Sequence, residues 1–179
     1  MSKRIAIWIL VAALLALAPA APQQKGLSTQ TIKGYLDKME MQSVAHPRSV
    51  DTLVVPRTDN AKADRIDLYV ERRADQTLVL TAYPKFKGRY FNLARVADRE
   101  KLFQRMLETN HRAFATFFID NQGDIGARFT FSTEDGVGFE SFRASVMELL
   151  RITDEYVPTL DQFMRNEAND KDQPKKPGA

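Results

Sequence analysis

Arg65-Ile66-Asp67-Leu68-Tyr69-Val70-Glu71, then Arg73-Ala74-Asp75-Gln76, then Thr77-Leu78-Val79-Leu80-Thr81-Ala82-Tyr83 is the stretch that decides the fold. Ile66, Leu68 and Val70 fall on one face of an alternating segment, and Arg65, Asp67, Tyr69 and Glu71 fall on the other. A period of two marks a half-buried strand. The polar turn then returns the chain into a second strand with Leu78 and Leu80 on one face, expected to stop at Pro84. Upstream, the β-branched run Thr52–Val55, closed by Pro56, supplies a third strand. The three read as an antiparallel meander joined by short turns.

Helical spacing takes over on either side of the meander. Ser28 is placed to cap a helix, with Leu27 stapled against Ile32. Ile32, Tyr35, Leu36 and Met39 then form one apolar stripe. Asp98 is placed to cap a second helix carrying Leu102, Phe103, Met106 and Leu107, expected to end at Asn110 and His111. Ala113–Ile119 and Ile125–Phe131 read as two strands joined by Asp120-Asn121-Gln122-Gly123-Asp124, whose composition fits a hairpin turn with one residue at positive φ. The longest stripe is Phe142, Val146, Leu149, Thr153, Tyr156, Leu160 and Phe163, on a helix starting near Phe139. Pro158 removes a hydrogen bond to the Asp154 carbonyl, so a kink or break is expected there. The order is α-βββ-α-ββ-α, an α+β domain with a single antiparallel sheet and helices packed on it.

The chain has 179 residues, with 26 Lys and Arg against 23 Asp and Glu. Lys3 and Arg4, the apolar run Ile5–Ala18 and the small residues Ala18-Pro19-Ala20 have the layout of an export signal. The apolar run is shorter than the roughly 20 residues that a bilayer-spanning helix needs. Residues 1–20 are therefore expected to be a cleaved signal, 21–26 a short linker, 27–166 the domain and 167–179 a disordered tail of Lys, Asp, Pro and Gly. Cleavage would reduce the charge from +3 to +1. That balance gives no global basis for nucleic acid as a partner, and cleavage would leave no stable membrane anchor. With no cysteine, thiol catalysis, disulfides and a lipidated N-terminal Cys are excluded. The expected location is the periplasm.

Catalytic constellations are scarce. His46, in a polar loop beside Pro47, and His111, at a helix end, are the only histidines. Neither has a carboxylate at a recognised metal spacing, so no metal or cofactor is expected. Gly136-Val137-Gly138-Phe139-Glu140-Ser141 lacks the parallel βαβ unit of a dinucleotide loop. Asp120–Asp124 lacks the alternating ligands and distal Glu of a calcium loop. Asp154, Glu155 and Asp161 near Arg151 and Arg165 read as a solvated helix face. The segment Tyr83-Pro84-Lys85-Phe86-Lys87-Gly88-Arg89-Tyr90-Phe91 interleaves cations with rings, as protein interfaces do. Lys85, Phe86, Lys87, Arg89, Tyr90 and Phe91 are the candidate partner-binding residues. The plainer alternative is that the rings cover the core while the cations stay solvated.

Leu107-Glu108-Thr109-Asn110-His111, followed by Phe114–Asp120, Gly123 and Ile125–Phe131, and then Asp154-Glu155-Tyr156-Val157-Pro158-Thr159-Leu160, resembles the YbjN family of sensory transduction regulator-like proteins. The resemblance spans about Leu27 to Phe163. It implies the fold of type III secretion chaperones and a non-enzymatic protein that works through its surfaces, as a homodimer. Secretion chaperones of this fold bind an extended client segment in the cytosol and are typically acidic. Here the chain is near neutral and carries a signal, so the expected client is an envelope protein or peptide. The rival expectation is a small-ligand-binding or enzymatic domain with a polar site between sheet and helices.

Overall fold

The computed structural model describes residues 27–111 and 113–164; the expected signal, linker and tail lie outside the described residues. The elements are α1 (Thr29–Lys38), β1 (Val44–His46), β2 (Ser49–Arg57), β3 (Arg65–Arg72), β4 (Thr77–Phe86), β5 (Arg89–Tyr90), a 3-10 turn (Leu93–Arg95), α2 (Arg99–Asn110), β6 (Thr116–Ile119), β7 (Ile125–Ser132) and α3 (Phe139–Phe163). They build one antiparallel sheet in the order β1-β2-β3-β4-β7-β6, with β5 paired to the end of β4. This is the expected α+β architecture, with the short strands β1 and β5 added to the meander. His46 consequently lies in a strand, where the sequence suggested a loop.

The two prolines expected to end strands lie inside them. Pro56 pairs with Asp67 beyond the end of β1, and Pro84 pairs with Ile66 beyond the last β4–β7 pair. At each position the strand has a neighbour on one side only, so the missing N–H breaks no ladder. The turn between β3 and β4 closes through Arg73 N–H to the Thr77 carbonyl at 2.9 Å, with Gln76 at φ 60°. Lys87 and Gly88, at φ 53° and 74°, form the tight turn that pairs Phe86 with Arg89.

All three helices cover one face. Ile66, Leu68 and Val70 of β3, Leu78, Leu80 and Ala82 of β4, and Ile125 and Ala127 of β7 are buried there. They share a core with Ile32 and Leu36 of α1, Leu102 and Met106 of α2, and Phe142, Val146, Leu149 and Leu160 of α3. Each fully buried Leu, Ile or Phe contributes on the order of 2 kcal/mol. The caps are as expected: Ser28 Oγ accepts the Thr31 N–H at 3.0 Å, and Asp98 Oδ1 accepts the Lys101 N–H at 3.1 Å. The α2 stripe is only half used, because Phe103 and Leu107 remain 41% and 71% exposed.

The helix α3 runs through Pro158 without breaking. Tyr156, Val157 and Leu160, buried on both sides of the proline, hold it to the core. Asp154, one turn earlier, is not part of a solvated face. Its carboxylate accepts the backbone N–H groups of Ala61, Lys62 and Ala63 at 3.0, 3.0 and 2.7 Å. Three charge-assisted bonds tie the β2–β3 loop to the helix. Asp154→Ala is expected to cost about 2 kcal/mol and to speed hydrogen exchange at those three amides selectively. Uniform exchange across the sheet in the variant would show that the carboxylate does not anchor the loop.

Candidate functional site

Because the helices share one face, the opposite face of the sheet carries the polar members of each strand. Register places them in rows. Asp67 of β3 stands opposite Tyr83 of β4, and Tyr69 stands opposite Thr81, which in turn stands opposite Arg128 of β7. On β6, Phe118 pairs with Gly126. A Cβ at Gly126 would lie 3.0 Å from the Tyr83 ring and 3.0 Å from the Ala82 carbonyl. The missing side chain is what lets Tyr83 lie against the β7 backbone.

Tyr83 is the hub of a ring cluster. Its centroid lies 5.7 Å from Tyr69, 6.2 Å from Tyr90 and 5.8 Å from Phe118, all edge to face. His46 extends the cluster across β1, 6.1 Å from Tyr69. Arg128 lies over the Phe118 ring at 4.1 Å, and Lys85 lies over Tyr90 at 4.3 Å. The Tyr83 hydroxyl donates to Asp120 Oδ2 at 3.1 Å, and the Tyr90 hydroxyl donates to Asp67. The floor and walls enclose a hollow of about 330 Å³.

Asp67 is 2% exposed on this face. Arg65 Nε reaches its Oδ1 at 2.5 Å and Lys85 Nζ lies 3.5 Å from Oδ2. Burial raises the phenols of Tyr69, Tyr83 and Tyr90 above their ordinary 10.0, and the carboxylate of Asp67 or Asp120 adds to each rise. A group whose folded pKa is raised contributes stability fully below its unfolded pKa and loses that contribution as pH climbs toward the folded value. Thermal stability is therefore expected to be insensitive to these tyrosines below about pH 9 and to fall above about pH 10. Near-ultraviolet absorbance should show delayed phenol ionisation that coincides with unfolding. Ordinary titration of all the tyrosines in the folded chain would contradict this.

The sequence-selected segment is divided between the two faces. Lys85 and Tyr90 belong to the ring cluster. Phe91 is buried in the core and stacks with the partly buried Phe86 at 6.2 Å. Lys87 pairs with Asp161 at 3.3 Å and lies over Phe86 at 4.8 Å. Arg89 is exposed beside the turn. The six residues thus form no single patch. The Asp120–Asp124 turn is the expected hairpin, with Gly123 at φ 84° and Asp120 Oδ1 accepting the N–H groups of Gln122 and Asp124, each at 2.9 Å.

Asp67, Tyr69 and Arg128 escaped the sequence reading because alternation alone assigns them to solvent, and Asp120 because its turn accounts for it as a hairpin residue. A glycine inside an otherwise regular strand, at Gly126, was the signal that a ring from the neighbouring strand lies close. The sheet–helix interface expected by the rival reading is filled by fully buried Phe142, Leu80, Leu149 and Leu160. Besides the hollow on the helix-free face, a groove of about 580 Å³ separates α2 from α3. It is lined by Arg105, Glu108, Phe114, Glu148, Arg151 and Ile152, among others. At the outer edge of the sheet, the Asn110 amide donates to the Phe117 carbonyl at 2.9 Å and accepts the Phe117 N–H at 2.6 Å. It occupies the place of a further strand.

Two solved structures share this fold. The crystal structure of YbjN from E. coli matches with a TM-score of 0.53 and 16% identity, covering 78% of this chain and 96% of that one. An uncharacterized protein from Methanothermobacter thermautotrophicus matches with a TM-score of 0.51 and 18% identity, over 78% of this chain and 100% of that one. The HopA1-SchA chaperone-effector complex contains a chain that matches at 0.49 and 15% identity, over 70% and 88%. None of the curated proteins matches the sequence. The model of the YbjN family, described as a bacterial sensory transduction regulator, matches residues 58–162, from the loop after β2 to the last turn of α3. With more than half of its length matched, the chain belongs to the YbjN family.

Proposed function

We propose that the mature protein is an exported, non-enzymatic binding domain of the cell envelope, chaperone-like or regulatory, that acts through a protein partner as a homodimer. Export rests on the N-terminal layout of charge, apolar run and small residues. The observation that carries the binding role is the apolar ridge on α2. Phe103 and Leu107 stand one turn apart and exposed, on the side of the helix away from the groove lined by Arg105, Glu108 and Thr109. Exposed apolar pairs on a helix serve as docking anchors when a partner buries them. Asn110 closes the adjoining strand edge, so contact through the helix face is favoured over strand addition.

The test is light scattering on the mature chain together with in-cell crosslinking in the envelope fraction. A dimer mass at high micromolar concentration that Leu107→Glu converts to monomer, with unchanged melting temperature, is the expected result. A wild-type chain that stays monomeric removes the dimer. A chain that is never crosslinked to another protein removes the partner. Mass spectrometry of the exported protein should find the N-terminus immediately after Ala20; an intact Met1 on membrane-bound material removes the cleaved signal.

A further inference from the structure

The hollow on the helix-free face has a composition that an ordinary solvated sheet face lacks. Tyr69, Tyr83, Tyr90 and His46 supply rings. Arg128 supplies a guanidinium whose contacts among the described residues are the Phe118 ring and, through Nε at 3.4 Å, the Thr81 hydroxyl. Both contacts hold the guanidinium in one plane against the Phe118 ring, with Nε rather than the terminal nitrogens engaged by Thr81. A guanidinium oriented in this way is suited to two parallel hydrogen bonds with a carboxylate.

Two carboxylates of the opposite sign of charge line the same hollow and are oriented by neutral donors. Asp120 is held by the Tyr83 hydroxyl and by the turn N–H groups, and Asp124 Oδ1 accepts from the Asn92 amide at 2.8 Å. The same face already shows how it holds an ammonium, since Lys85 rests on the Tyr90 ring with Asp67 beside it. The cavity therefore offers a carboxylate receptor, an ammonium receptor and ring faces for an apolar body within about 330 Å³.

We propose that this hollow binds a small zwitterion of the amino-acid class, with its carboxylate on Arg128, its ammonium toward Asp120 and Asp124, and its side chain against Tyr69 and Tyr83. The site is separate from the α2 ridge and does not depend on the protein-partner reading.

The test is a nuclear magnetic resonance titration of the mature full-length chain with each of the twenty free L-amino acids up to about 10 mM, weak affinity being expected for so small a ligand. At least one should give saturable shifts centred on Tyr69, Tyr83, Asp120 and Arg128. Its carboxamide and its N-acetyl form should each bind about tenfold more weakly, because each leaves one charged receptor without its counterpart. Arg128→Gln, checked for an unchanged melting temperature, should abolish the preference for the acid over the carboxamide. No saturable shift from any amino acid, shifts confined to another surface, or equal binding of the blocked forms would overturn the proposal. Those results would leave the crosslinking and dimer measurements untouched.

Discussion

Asp67→Ala is expected to lower the melting temperature by about 10 °C, the largest loss of any polar substitution in the sheet. Arg65 and Lys85 stand directly opposite each other on β3 and β4, a like-charge cross-strand pair that is unfavourable by itself. The Asp67 carboxylate lies between them, bonded to Arg65 at 2.5 Å and 3.5 Å from Lys85, and also accepts the Tyr90 hydroxyl. Removing it leaves two cations in repulsion and a half-buried phenol without its acceptor. A fully buried pair would lose about 3–5 kcal/mol, but Arg65 and Lys85 are partly exposed and can rehydrate, so about 3 kcal/mol is the expected cost. Asp67→Asn keeps an acceptor for Tyr90 and should cost about half as much. Asp37→Ala, which breaks the exposed 2.9 Å pair with Lys33, should change stability by less than about 0.5 kcal/mol. Equal melting temperatures for the Asp67 and Asp37 variants would refute the role given to Asp67.

Asn110→Ala is the second large effect, at about 2–3 kcal/mol. The side chain satisfies both the N–H and the carbonyl of Phe117, whose ring is buried against Tyr156 at 4.0 Å. Without the amide, two backbone groups at a partly buried edge must find water. The short strand β6 then presents a free edge to other chains. Asn110→Asp keeps the acceptor and loses the donor, placing a carboxylate against the Phe117 carbonyl, so it should be no better than alanine. Hydrogen exchange at the Phe117 amide and light scattering after heating are the measurements. The expected outcome is faster exchange together with larger aggregates. A variant that exchanges as the wild type does would show that the edge is closed by something else.

The meander was legible because alternation over Arg65–Glu71 and Thr77–Tyr83 leaves only one way to bury Ile66, Leu68, Val70, Leu78 and Leu80 together. A different rule, that proline ends a strand, set the error at Pro56 and Pro84. A proline excludes a strand only where both neighbours need its N–H, and which side of a strand is vacant is a property of the assembled sheet. On α2, helical spacing grouped Leu102, Phe103, Met106 and Leu107 as one stripe. The width of core actually available covers only Leu102 and Met106, and the remaining pair became a candidate docking ridge.

The candidate sites divide in the same way. Lys85 to Phe91 stood out as a local mixture of rings and cations, but the tight Lys87-Gly88 turn sends alternate residues to opposite faces. Phe91 goes to the core and Tyr90 to the helix-free face. The ring-lined hollow draws on β1, β2, β3, β4, β5, β7 and the β6–β7 turn, residues separated by up to 82 positions between His46 and Arg128.

By itself, the sequence determined the three helices, the five longer strands, their order and the caps at Ser28 and Asp98, because each depends on interactions between residues a few positions apart. Only the tertiary structure decided that Asp67 neutralises a cross-strand cation pair, that Asp154 anchors a loop, that Asn110 closes an edge and that Arg128 faces a hollow of tyrosines. Those roles depend on strand register and on which neighbour is absent, and neither is encoded within any one segment.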